Sequence, residues 1–301
     1  MVLLLRDDAR RPSHRRRSAR RGRALSRGRV QRARLHARAG DGPAGRRGDA
    51  RRPSAHHRHP RPLARAIPER PPPVQGHRAL KVRVTSLLEG ARTATGHVVI
   101  VDVFRAFTTA AFCVAAGARE IVLVNDHQLA LAMKRADPKL FLTGEIDGRP
   151  IPGFDVGNSP SRILGMDLEG RRVVQRTSSG TQGAVAASGA DRIVLGSFVI
   201  AAATVRYLRE RAPEITIVAM GQNAKEDADE DLLCARYLAA ALRQEPLPST
   251  QVTLLGDDPA VGWADWFPRR DAELALEVDR FSFALPVHRE NGLLTARPEY
   301  V

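Results

Sequence analysis

The chain has 301 residues, 48 Lys or Arg against 33 Asp or Glu, a net charge of +15 and a pI near 11.2. Taken whole, that balance points to nucleic acid or an anionic surface. The charge is confined to one end, however: residues 1–80 hold 23 Arg, no Lys and 5 acidic residues (net +18), leaving 25 basic and 28 acidic residues (net −3) in 81–301. No stretch approaches the roughly 18 continuous apolar residues of a membrane-spanning helix, which excludes that class and predicts a soluble protein.

Residues 1–80 read as a disordered, Arg-rich extension. Runs such as RRPSHRRRSARRGR and HPRPLARAIPERPPP lack helical or strand periodicity and are broken by Pro and Gly. Two readings apply. One is a basic arm that neutralises phosphates, so that nucleic acid binds only nonspecifically and through this segment; the other is an upstream extension from a start codon placed too early. The absence of interleaved aromatics that could stack on bases favours the second. MVLLL is too short for the apolar core of a signal peptide.

Residues 81–301 form one α/β domain. Short apolar runs at 97–103, 119–125, 139–144, 171–177, 191–197 and 215–221 read as strands. Helical patterns fall at about 106–116, 127–136, 160–166, 181–188, 200–211 and 227–243, the alternation of parallel strands with crossover helices. Ser159-Pro160 reads as a helix start and Gly117 as a helix stop. Cys113 and Cys234, the two cysteines, lie in apolar helical runs and read as reduced, buried thiols of a cytoplasmic protein.

An offset of 72 residues lays Thr109 on Thr181 and Ile121 on Ile193, so the domain carries a repeated strand-loop-helix-strand unit and the reading of duplicated halves. The two copies place the polar loops DVFRAFTT and RTSSGTQ at equivalent strand ends. Ligands of open α/β sheets bind there, where helix N-termini offer free N–H groups. Arg105, Thr108 and Thr109 on one loop and Ser178, Ser179, Gly180 and Thr181 on the other supply donors suited to phosphate.

Asp102 ends its strand facing such a guest, where a bare carboxylate would repel it unless a divalent cation lay between them. Glu145 ends another strand, Asn158 and Ser159 open a helix, and Glu230 and Asp231 open a third. Oxygen ligands from separate strand ends suit Mg²⁺. The expected metal ligands are Asp102, Glu145 and one or both of Glu230 and Asp231, although the run from Glu226 to Asp231 also reads as a solvated helix start favoured by the dipole. Asp102, Arg105 and Glu145 form the expected catalytic group, and Arg105, Thr108, Thr109, Asn158, Ser159 and Ser178–Thr181 the expected substrate-binding group.

The stretches VVIVDVFRAFTTA, TGEIDGRPIPGFDVGNSPSRI, TSSGTQG, VLGS, EDLLCARYL and LEVDRFSFALPV, in this order across about residues 81–297, together resemble the 2-phosphosulfolactate phosphatase family. The resemblance implies a three-layer α/β/α fold of related halves, Mg²⁺-dependent phosphomonoester hydrolysis of a small anionic ester, and a place in coenzyme M biosynthesis. Asp102, Arg105, Thr108, Thr109, Glu145, Asn158, Ser159, Glu230 and Asp231 match the family pattern. Ser178-Ser179 stands where the pattern has Thr-Asn, Ile200 replaces an Asn and Phe107 a Thr, departures that bear on substrate identity. A homo-oligomer is left open. The competing reading is a non-catalytic protein that binds anions or nucleic acid through the basic arm.

Two other phosphatase chemistries are disfavoured. Cys113 and Arg119 have the Cys-x5-Arg spacing of cysteine phosphatases, but the intervening CVAAGAR ends a helix rather than wrapping a phosphate. An Asp102 nucleophile would call for a second carboxylate two residues on, where Phe104 stands.

Overall fold

Apolar runs that alternate faces need cover on both sides, and the sheet of this protein is covered on both. The computed structural model describes residues 5–7, 80–259 and 261–301. The reading of 1–80 as unfolded lies outside these residues, apart from Leu5–Asp7 (β1).

In chain order there follow Lys81–Ser86 (β2), Leu87–Thr93 (α1), Gly96–Val101 (β3), Ala106–Ala115 (α2), Glu120–Leu123 (β4), His127–Ala136 (α3), Phe141–Ile146 (β5), Arg149–Pro150 (β6), Val156–Gly157 (β7) and Pro160–Ile163 (α4). The second part holds Arg172–Arg176 (β8), Gly180–Ala186 (α5), Ala190–Gly196 (β9), Ala201–Arg209 (α6), Glu214–Ala219 (β10) and Asp229–Arg243 (α7). Val252–Leu254 (β11), Arg269–Ala275 (α8), Phe283–Glu290 (β12), Leu293–Ala296 (β13) and Glu299–Tyr300 (β14) complete the chain. β1 pairs antiparallel with β11.

One mixed sheet runs β2-β10-β3-β9-β12-β13-β4-β8-β5-β6. β2, β10, β3 and β9 are parallel, as are β4, β8 and β5. The six strands read from the sequence are parallel within these two sets, and the antiparallel hairpin β12–β13, which that reading did not include, sits between the sets and joins them. Its two-residue turn, Asn291-Gly292, has both φ angles positive, the requirement of a tight type I′ connection.

Val98 and Ile100 of β3 pack with α1, α2 and α5 on one face, while Val99 and Val101 pack with α6 and α7 on the other. In the second parallel set Val122, Leu142 and Val174 pack against Ala130 of α3. The result is three layers, α/β/α. α2 is buried from Ala106 to Val114, so its side chains are apolar or small around the whole helix.

The two segments matched in sequence share an element order: β3-loop-α2-β4 and β8-loop-α5-β9 each run strand, loop, helix, strand. Each copy also crosses from one parallel set to the other, in opposite senses. β3 and β8 have four strands between them in the sheet order, yet the head of α2, which follows β3, meets β8: Gln175 Nε2 donates to the Ala106 carbonyl at 2.8 Å. Both cysteines are buried free thiols, with burial pushing the Cys113 thiol up to about 12. Among the described residues no helix is long and apolar enough to cross a membrane.

Candidate active site

The C-terminal ends of β3, β5, β8 and β10 surround a cleft of about 110 Å³, roomy enough for several waters or a small phosphate ester. Asp102 and Arg105 reach it from the loop after β3, Glu145 and the Asp147-Gly148 turn from β5, and Ser178 and Ser179 from the loop after β8. Asn158, Gly221, Gln222 and Asn223 add polar lining, and Phe104, Ala264, Trp266 and Phe267 form an apolar wall.

Asp102 receives two main-chain donors. Its Oδ1 accepts from Ala106 N–H at 2.9 Å, at the head of α2, and its Oδ2 from Gly180 N–H at 2.7 Å, at the head of α5. Gly180 is required by closeness: a Cβ there would stand 2.9 Å from each of Asp102 Oδ2, Ala106 Cβ and Phe107 Cζ. Burial lifts the Asp102 carboxyl to about 6, the neighbouring Glu145 adds to this, and the N–H donors and Arg105 oppose it.

Glu145 is held similarly, with Oε1 accepting from Ser178 N–H at 2.5 Å, and Oε2 from Gly148 N–H at 2.5 Å and Ser178 Oγ–H at 3.2 Å. The loop after β8 was expected to aim its N–H groups at a substrate anion; the Ser178 and Gly180 N–H groups instead hold two of the protein's own carboxylates.

Six of the sequence-selected residues, Asp102, Arg105, Glu145, Asn158, Ser178 and Ser179, line the cleft, and the others do not. Thr108 Oγ donates to the Val103 carbonyl, and the Thr181 hydroxyl accepts from Thr177 N–H and donates to the Thr177 carbonyl, as local caps do. Thr109 is fully buried with its hydroxyl lacking a partner. Ser159 opens α4 but turns its hydroxyl to Asp271 at 2.8 Å. Ser179 Oγ accepts from Ala224 N–H at 3.0 Å.

Asp231 binds Val103 N–H (2.7 Å) and Gly221 N–H (2.8 Å), tying the ends of β3 and β10 together behind the cleft. Burial raises its carboxyl well above the ordinary value, and Asp102 and Glu230 push it further. Glu230 is buried, with Oε2 unpartnered, and burial lifts it to about 8.

The four carboxylates expected to ligate Mg²⁺ do not form a ready cage: among the described residues no three His, Cys, Asp or Glu groups are arranged to hold a metal ion by themselves. Asp102, Glu145 and Asp231 each already accept a main-chain N–H group on both oxygens, so each has only its remaining lone pairs to offer a cation. The donor chemistry nevertheless fits a hard cation, with only oxygens offered and Glu230 Oε2 and Asn158 Oδ1 buried without partners. Mg²⁺ commonly uses one or two carboxylates, waters and substrate phosphate rather than an all-protein cage.

Asp271, Phe104, Trp266 and Phe267 escaped the sequence reading. Asp271 lies in RRDAELALE, where charged neighbours suggest a solvated helix, yet it is fully buried.

A three-layer α/β fold with an acidic cleft at the parallel strand ends is the frame of a small-molecule enzyme. A model of the 2-phosphosulpholactate phosphatase family matches residues 83–276, more than half of the chain, and the chain belongs to that family. Similar proteins, each named "Probable 2-phosphosulfolactate phosphatase", include those of Bacillus subtilis (34% identical; 46% of this chain, 61% of the relative) and Deinococcus radiodurans (40%; 48% and 60%). That of Thermoplasma acidophilum is 30% identical over 60% of this chain and 81% of its own length. This chain spans about three fifths of the length of the first two.

Proposed function

We propose that this protein is a phosphoric monoester hydrolase that acts on a small anionic phosphate ester, 2-phosphosulfolactate or a related phospho-acid, with Mg²⁺ as cofactor. The observation that carries the reading is the pairing of Asp102 and Glu145, from the two parallel sets, on one cleft with Arg105. Family membership supports the reaction class, and nothing in that membership favours the non-catalytic reading.

In this mechanism Asp102 and Glu145 would hold the cation, with the unpartnered Glu230 Oε2 as a further oxygen donor. When bound, Mg²⁺ polarises the phosphoryl group and lowers the pKa of a bound water. Arg105 and the Asn158 amide orient the ester oxygens, the main-chain donors keep the two carboxylates in place, and Phe104, Trp266 and Phe267 keep bulk water from one side. The reduced buried thiols accord with a cytoplasmic setting.

The test is phosphate release by the full chain from 2-phosphosulfolactate, with Mg²⁺ and after chelation. Release that requires the cation is expected. Absence of release from this ester and from 2-phospholactate, with the cation present, overturns the reading.

A further inference from the structure

We infer that Asp271 is a positioning residue: it fixes the Arg105 guanidinium so that one particular edge of it faces the cleft. The inference rests on the hydrolase reading above. Arg105 is 3% exposed, Asp271 is 0% exposed, and Nη1 meets Oδ2 at 2.8 Å. The same Nη1 donates to the Trp266 carbonyl at 2.8 Å, and Nη2 donates to the Gly148 carbonyl at 3.2 Å.

A guanidinium has five N–H donors. Three are thereby taken, and the two left are Nε–H and one of Nη2; with Gly148 on the Nη2 hydrogen that faces Nη1, the free one is the hydrogen beside Nε–H. These lie along a single edge, the geometry that grips two oxygens of a phosphate at once. With Nη1 fully occupied by Asp271 and Trp266, the other edge is the one offered.

The carboxylate that does this is itself fixed. Asp271 Oδ1 accepts from Ser159 Oγ–H at 2.8 Å and from Ser161 N–H at 2.9 Å, both at the start of α4. The guanidinium carbon lies 4.3 Å from the centre of the Phe267 ring. Trp266 packs so closely on Gly148 that a Cβ there would fall 2.3 Å from its ring. That turn also donates Gly148 N–H to Glu145. Residues 266–271 thus reach Arg105 directly and Glu145 through one turn, although none of them contacts the loop after β8 in the hydrogen bonds described.

The test is a double-mutant cycle in the full chain, read as kcat and KM for 2-phosphosulfolactate with Mg²⁺ and as Kd for inorganic phosphate by calorimetry. Asp271→Asn keeps the shape and turns an amide donor toward Nη1. We expect kcat/KM to fall by about 10²-fold, mostly through KM, with phosphate affinity falling in parallel. Arg105→Met should lose as much, and Arg105→Met with Asp271→Asn no more than Arg105→Met alone.

Losses that multiply in the double variant overturn the inference, as does an Asp271→Asn protein within about twofold of wild type. Should Asp271→Asn fail to fold, Asp271→Glu carries the test, since it keeps the charge and shifts the carboxylate. A folded Asp271→Glu protein with raised KM supports the inference, and one with wild-type constants overturns it. A wild-type protein that releases no phosphate removes the hydrolase reading and this inference together, whereas an active wild type matched by its variants removes the inference alone.

Discussion

The loops after β3 and β8 occupy the same place in two copies of one unit, and they carry opposite chemistry. The first presents an acid and a base, Asp102 and Arg105. The second, Thr177 to Thr181, carries no charge and works through main-chain N–H groups and hydroxyls, donating from Gly180 to Asp102 and from Ser178 to Glu145. Of these two similar strand ends, one bears the charges and the other holds the carboxylates in place.

The largest expected effect of breaking this arrangement is at Asp102. Asp102→Asn retains one acceptor for two N–H donors, so one donor is stranded at a cost of about 1–3 kcal/mol of stability, leaving the fold intact. Turnover should fall by ~10²-fold or more, with part of the loss recovered at raised Mg²⁺. Melting temperature and the Mg²⁺ dependence of phosphate release, measured on the same preparation, check this. A destabilised variant that stays active with an unchanged metal requirement would remove Asp102 from the site.

Next in size is a pH effect. The Asp102 and Glu230 carboxyls are lifted by burial from 3.8 and 4.5 to about 6 and about 8. In that window the folded protein binds more protons than the unfolded chain, so the stability from these groups is present below about pH 4 and is lost as pH rises through 6 and 8. The Mg²⁺-free protein should lose stability through them on that rise. Thermal melts of wild type against Glu230→Gln from pH 5 to 8 isolate the second group. The variant should show the shallower decline, and Mg²⁺ should raise the wild-type midpoint more at pH 8 than at pH 5. Parallel curves for the two proteins would argue against a strained carboxyl at 230.

Gly180→Ala sharpens the comparison from the second loop's side. The new methyl meets three atoms at 2.9 Å, those of Asp102 and Phe107 being side-chain ends pinned by burial and, for Asp102, by two N–H donors, and should destabilise by about 1–3 kcal/mol. Because the Asp102 contact is displaced, kcat should fall roughly tenfold although no charge is changed. Full activity in a folded Gly180→Ala protein would mean that the loops work independently.

Ser178→Ala is the mildest case. The N–H to Glu145 survives and the hydroxyl, 3.2 Å from Oε2, is lost with its contacts to Asp147 N–H and Arg176. A loss of about 0.5–1.5 kcal/mol, seen as a several-fold lower kcat/KM, is expected. A much larger loss would show the hydroxyl itself touching substrate.

The sequence made the six alternating strands and their helices legible because their faces are uniformly apolar and their loops polar. Asp102 and Glu145 stood out as carboxylates adjoining buried runs. β2 did not stand out, since Lys81–Ser86 lies at the sheet edge and is half exposed. The β12–β13 hairpin has an Asn-Gly turn, but its place between the parallel sets depends on pairings with strands far back in the chain, Leu285 with Leu195 and Leu294 with Leu123. Asp271 was illegible for a related reason: the groups that make burying it tolerable are distant in sequence, Arg105 by 166 residues and Ser159 by 112.

The hairpin has one more consequence, for the order of synthesis. β9 and β4 present adjacent edges of largely buried, apolar strands, and the segments that cap those edges, residues 283–296, follow every strand they join. As a nascent chain emerges from its N-terminal side, both edges are complete and unsealed until its last strands arrive. Ribosome-bound chains halted before residue 283 should therefore be the species that chaperones hold and that aggregates form from.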